Sequence, residues 1–99
     1  MSRPAKNRLV SAMPKYNLFS ANDRKMSGTE KVVMTIEEYE AFRLIDNEGL
    51  TQDQCAEKMA VSRTTVQRIY KSARSKIAKM IVNGSNLKIE GGSYSLTDN

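Results

Sequence analysis

The stretch Thr51-Gln-Asp-Gln-Cys-Ala-Glu-Lys-Met59-Ala60-Val61-Ser62-Arg63-Thr-Thr-Val-Gln-Arg-Ile69 decides the fold. Thr51 and Gln54 make a capping box, in which the hydroxyl accepts from an amide three residues on and the Gln side chain reaches back. That opens a short helix over 52–59. Ser62 is the N-cap of a further helix beginning at Arg63. Only Ala60, Val61 and Ser62 separate the two, and helices joined so tightly cross steeply, as in a helix-turn-helix. The crossing needs apolar side chains where the helices meet. Cys55, Met59, Val61, Val66 and Ile69 supply them, with the small Ala56 at the closest contact. One position departs from the pattern. Such turns usually hold a left-handed Gly where this chain has Ala60. A left-handed Ala costs about 1–2 kcal/mol, unless the turn is of a variant kind that tolerates it.

The helix that starts at Arg63 is long. Val66, Ile69, Tyr70, Ala73, Ile77, Met80 and Ile81 keep one apolar stripe to Val82, and Asn83-Gly84 ends it. A span over 63–82 makes a rod of roughly 30 Å. Its opening turns present Thr64, Thr65, Gln67, Arg68 and Lys71 on the outward side. Arg pairs with guanine, Gln with adenine, and Thr touches the thymine methyl, so these five are expected to read bases in a major groove. Arg63, Arg74 and Lys79 suit phosphates. So do Thr51, Gln52 and Ser62, where the helix starts leave amides free.

Outward from this unit, Thr35-Ile-Glu-Glu38 is another capping box, and the apolar spacing of Ile36, Tyr39, Phe42, Leu44 and Ile45 predicts a helix over 36–47. Residues 1–31 hold no helical period. They read as a basic arm with a short strand around Arg8 to Ala12, ended by Pro14, and a flexible loop from Asn22 to Gly28. Lys31 to Met34 is a β-branched run that predicts a strand. In the tail, Leu87 to Leu96 alternates on either side of Gly91-Gly92, which predicts a β-hairpin. The organisation expected is an arm over 1–31, a helical unit over 32–84 and a hairpin tail over 85–99.

Composition bounds the function. Of 99 residues, 39% are hydrophobic and 27% charged, as in one small globular domain. There is no His, which removes Ser-His-Asp and Cys-His nucleophiles and the His-based zinc sites. A single Cys closes no intrachain disulfide and supplies no zinc finger. The chain is therefore expected to be no enzyme and to hold no metal or cofactor. The longest apolar run is three residues, against the ~20 of a membrane helix, and no apolar stretch backs the basic N-terminus. A reduced, cytoplasmic protein is expected.

The net charge of +5 conceals a pattern. Residues 1–33 carry +5, residues 34–60 carry −5, residues 61–82 carry +6 with no acidic side chain, and the remainder −1. Ordinary surface helices mix signs for i,i+4 pairing. A segment with basic residues only, behind an acidic one, points to a polyanion. If six phosphates were neutralised, log K would fall against log salt with a slope of about −5.

These residues also resemble a family of small bacterial and archaeal proteins, predicted to bind DNA, whose helix-turn-helix is similar to region 4 of sigma-70 factors. The likeness runs through Arg3-Pro-x-Lys6-x-Arg8-x-Val10, Pro14 and Phe19, then Met34-Thr-Ile-Glu-Glu-Tyr39 to Leu50-Thr-Gln. It continues through Ala56 to Ile69 and Leu87-x-Ile-Glu-Gly-Gly92-x-Tyr94. Asn7 stands where many members have Cys and Ala60 where they have Gly, so the arm gets no metal or thiol role from the likeness. The resemblance implies a mainly α fold: a three-helix core with a sigma-70 region 4-like, winged-helix-like helix-turn-helix, and a small β element from arm and tail. It implies DNA binding but no ligand or target.

Cys55 falls on the apolar face of its helix and reads as a buried structural thiol rather than a redox sensor. Tyr16 and Phe19 read as packing on the helices, and Tyr94 as a cross-strand anchor. Arg3, Lys6 and Arg8 either follow phosphates or a minor groove, or make no contact; both readings stay open. Glu37, Glu38, Asp46 and Glu48 read as capping and solubility. The reading from sequence is a regulator that binds double-stranded DNA, with a homodimer as one oligomeric option. Its rival is a sigma-region-like interaction module that docks its acidic helix and tail on RNA polymerase, with DNA contact secondary.

Overall fold

Three capped helices and five short strands account for the computed structural model, which describes residues 8–21 and 31–97. In chain order they are β1 (Arg8–Val10), β2 (Leu18–Phe19), β3 (Lys31–Met34), α1 (Ile36–Phe42), α2 (Gln52–Met59), α3 (Arg63–Asn83), β4 (Asn86–Ile89) and β5 (Tyr94–Leu96). Arg3, Lys6 and the loop expected from Asn22 to Gly28 lie outside the described residues. No helix among those described is long and apolar enough to cross a membrane.

All three helix starts form as the sequence dictates. Thr35 and Glu38 close one reciprocal box and Thr51 and Gln54 another, while Ser62 accepts from the Thr65 amide. The helix expected over 36–47 changes character midway. It is α-helical to Phe42 and then widens into a π-helical turn over Arg43–Asn47. Hydropathy spacing does not distinguish the two, because the wider turn admits only one extra residue. Gly49 follows with φ +81 and ends it.

Two apolar clusters share α3. Its first half joins Val66 and Ile69 to Ala41, Leu44, Cys55, Ala56 and Met59, where α1, α2 and α3 meet. Its second half joins Ala73, with Ile77 and Met80, to Val10, Met34, Ile36, Leu87 and Ile89. The length of α3 follows from this double duty: one end holds the helical unit and the other covers the strands.

The tail does not form the expected hairpin. β4 lies between β3, which it pairs in parallel, and β2, which it pairs antiparallel, while β5 leaves to pair in parallel with β1. The two glycines carry the chain across the start of α1 instead of turning it back. Gly91 O accepts from the Ile36 amide (3.0 Å) and the Ser93 amide donates to Glu37 Oε1 (3.1 Å). Gly92 has φ +103, and a Cβ there would lie 2.0 Å from Glu37 Oε1. Alternation identified the strands, but their partners are distant in sequence and leave no local trace.

Candidate nucleic-acid interface

The turn between α2 and α3 fixes how α3 is presented. Ala60 takes the left-handed conformation, φ 59 and ψ 44, and is the one non-Gly residue with positive φ among those described. Its turn is closed by the Val61 amide on Ala56 O (3.0 Å). Of the two turns the sequence left open, the strained one is present. With Val66, Ile69 and Ala73 buried inward, the 100° step of a helix puts the i, i+4, i+7 series Thr64, Arg68, Lys71 on the opposite side. All three are exposed, as is Gln67 beside them.

Thr65 stands apart from the other residues expected to read bases. It is half-buried, its hydroxyl lies 3.0 Å from the Ser62 hydroxyl, and its amide donates to that same oxygen (3.1 Å). Both groups are thus occupied by the cap. The start of α2 is similarly engaged: the Thr51 hydroxyl accepts from the Gln54 amide (3.1 Å) and the Thr51 amide donates to Gln54 Oε1 (2.9 Å). Asp53 lies in its first turn, so a carboxylate already sits at the positive end of the dipole beside Gln52.

The basic residues of α3 divide into two groups. Arg63 Nε lies 3.7 Å from Asp53 Oδ1, Arg74 Nε 3.6 Å from Asp46 Oδ2, and Lys76 Nζ 2.7 Å from Glu38 Oε1. Arg74 is also over the Tyr70 ring, 5.7 Å from its centroid, and Tyr70 donates to Asp46 Oδ1 (2.9 Å). Arg68, Lys71 and Lys79 are exposed and have no ion pair among the described residues. The charge of +6 read from this segment is therefore half engaged and half open. Arg8 is half-buried in β1, with its Nε buried and without a hydrogen-bond partner among the described residues.

The acidic helix turns much of its charge inward. Glu38 is buried, and it accepts from Ser72 (2.6 Å), Lys76 (2.7 Å) and the Thr35 amide (2.9 Å). Burial alone would raise its pKa, but Lys76, Ser72 and Thr35 together hold it below the usual carboxylate value. Glu40 is buried too, bound by Arg43 (2.9 and 3.0 Å) and by the Ser11 amide and hydroxyl (both 2.9 Å). Arg43 also pairs with Glu48. The sequence reading gave Glu38 a capping role and placed Glu40 with it in the first turn for the helix dipole, without anticipating the burial of either. Their partners lie up to 38 residues away, so only the Glu40–Arg43 spacing was a usable signal.

Cys55 is buried, and burial raises its thiol to about 11, which removes it as a nucleophile at neutral pH. Tyr16 is exposed rather than packed on the helices, at 72%, whereas Phe19 is partly covered at 41%. Tyr94 pairs with Arg8 in register and packs on the second cluster. The arrangement offers a rigid helix face with hydrogen-bonding side chains and unpaired cations.

Comparison with known proteins gives a consistent picture. The family model described as protein of unknown function DUF134 matches residues 1–97. A UPF0251 protein of Desulfitobacterium hafniense (strain Y51) is 52% identical over 98 residues, covering 99% of this chain and 78% of that protein. One from Thermoanaerobacter pseudethanolicus is 47% identical over 98 residues, covering 99% and 83%. A third, from Halothermothrix orenii, is 46% identical over 96 residues, covering 97% and 71%. No solved structure matches the chain.

Proposed function

We propose that this chain, which belongs to the DUF134 family, binds double-stranded DNA through α3 and acts as a transcriptional regulator, with α2, the Ala60 turn and α3 serving as a sigma-70 region 4-like helix-turn-helix. One observation carries the reading. Thr64, Gln67, Arg68 and Lys71 lie together on the exposed face of a rigid helix, and its three unpaired cations are on that side. Gln67 and Arg68 are the base readers and Thr64 a thymine-methyl contact, while Lys71 and Lys79 hold phosphates. Thr65 is left out, because the Ser62 cap occupies it. Asp53 disfavours a phosphate at the start of α2, so Thr51 and Gln52 rank below the cations of α3.

The rival reading, a module docking its acidic helix on polymerase, loses support from the same geometry. Of the carboxylates on α1, Glu38 and Glu40 are buried and Glu37 is bound to the Ser93 amide. That leaves fewer carboxylates of the acidic helix free for a partner, although Asp46 and Glu48 just beyond α1 are exposed.

Fluorescence anisotropy on a random duplex at low salt tests the proposal. Binding with a dissociation constant between about 10⁻⁶ and 10⁻⁴ M is expected. Selection from a random pool should then yield a preferred site. On that site Arg68→Ala is expected to cost about 1–3 kcal/mol and relax preference at one base pair, whereas Lys79→Ala weakens all sequences alike. No binding below ~100 μM would reject the DNA reading in favour of the interaction module.

A further inference from the structure

Tyr16 is 72% exposed and is no part of the DNA-binding face. Together with Lys15 and Phe19 it forms the arm side of a cleft of about 490 Å³, and Tyr39, Arg43 and Asn47 form the side opposite. Three rings, two cations and a carboxamide thus converge. Ligand pockets typically measure about 300–1,000 Å³ and combine aromatic walls with a few polar groups that orient what they hold.

The π-helical turn assembles the helical side of this cleft. Tyr39, Arg43 and Asn47 are spaced four residues apart. In a continued α-helix, at about 100° per residue, Asn47 would lie about 80° round from Tyr39. The wider turn over Arg43–Asn47 rotates less per residue and so returns Asn47 toward the side of Tyr39. Turns of this kind are rare and frequently occur at functional sites.

The charges around the cleft are sorted. Arg43 is held by Glu40 (2.9 and 3.0 Å), by Ser11 Oγ (2.9 Å) and by Glu48, which together occupy four of its five donors. Neither of those carboxylates lines the cleft, nor does any other acidic residue among those described. Lys15 is exposed and has no ion pair among the described residues. The exposed Asn47 carboxamide offers both a donor and an acceptor. An inorganic anion would meet Lys15 and leave the rings without a contact. A purely apolar group would bring nothing to the ammonium. A flat ring carrying an acidic group satisfies both, since rings stack on aromatic faces and on a fixed guanidinium plane, and an ammonium pairs with the anion.

We infer that this cleft binds a small planar aromatic anion, a ring bearing a carboxylate or a phosphate, with the ring between Tyr16 and Tyr39 and the acidic group on Lys15. The site shares no residue with the DNA-binding face of α3, so the two readings fail separately.

Titration of the full chain without DNA, followed by calorimetry and amide NMR, tests the site. The probes are adenosine monophosphate and salicylate, with benzyl alcohol as a ring without charge and inorganic phosphate as charge without a ring. At least one of the two aromatic anions is expected to bind with a dissociation constant below about 1 mM and to shift the amides of residues 15–19 and 43–47. The tighter of the two identifies the acidic group as phosphate or carboxylate. Benzyl alcohol and inorganic phosphate should each bind about tenfold more weakly, or worse. Tyr16→Ala and Lys15→Gln, both at exposed side chains, should each weaken the anion by about tenfold and leave the circular dichroism unchanged. Four results overturn the inference: no binding of either anion below about 1 mM, shifts confined to residues 64–71, benzyl alcohol binding as tightly as the anions, or wild-type affinity in Lys15→Gln.

Discussion

Replacing Ala60 by Gly should stabilise the protein, and the size of the gain follows from one backbone angle. Ala60 is held at φ 59, ψ 44, and is exposed, so removing its methyl sacrifices no packing. Relief of the left-handed strain contributes about 1–2 kcal/mol. The added freedom of Gly in the unfolded chain offsets about 0.4–1 kcal/mol of that. The net expectation is a gain of about 0.5–1 kcal/mol, or a rise in Tm of about 2–8 °C for a domain of this size. Urea unfolding followed by circular dichroism should show a higher midpoint with an unchanged slope, which is the signature of altered stability without altered compactness. Ala60→Val, which forces a β-branched side chain into the same conformation, should unfold earlier than wild type. A lower midpoint for Ala60→Gly would refute the left-handed turn, and with it the geometry that presents α3.

Gly92→Ala should have the opposite effect: its Cβ would lie 2.0 Å from Glu37 Oε1 at φ +103, costing about 1–3 kcal/mol in strain. A Tm within error of wild type would contradict the crossing of Gly91-Gly92 over α1. Glu38 has its pKa lowered in the folded state, so its contribution is present above the unfolded value and lost as pH falls through the folded one. Glu38→Gln should therefore flatten stability across the acidic range, and an unchanged pH profile would remove Glu38 from that role. Cys55, raised to about 11 by burial, should resist iodoacetamide at pH 8 until the chain is unfolded in urea. Modification of the native protein at the rate of a free thiol would contradict its burial.

What the sequence disclosed was what it determines locally. The bounds of α2 and the start of α3 were legible because capping boxes and N-caps are made by residues three apart. The inward face of α3 was legible because helical spacing places Val66, Ile69 and Ala73 together. The strands of the tail were legible as alternation, but not their partners, since β4 chooses β3 and β2 and β5 chooses β1. For the same reason the charge pattern misled in part. Glu38 and Lys76 are 38 residues apart and Asp46 reaches Arg74 only through the fold, so a segment that looked uniformly free is half paired.

That division gives the central claim its most direct measurement, the salt dependence of binding to a duplex. A slope of about −5 would require all six cations of α3 to neutralise phosphates; Lys71 and Lys79, the unpaired ones placed on phosphates, contribute about −1.8. Substituting Lys71 and Lys79 together by Ala, both exposed and without ion pairs among the described residues, should therefore make the slope shallower by about 1.8, at 0.9 per phosphate. Affinity should fall with it while the fold remains intact. A slope unchanged by the double substitution would place DNA elsewhere on the molecule and contradict the account.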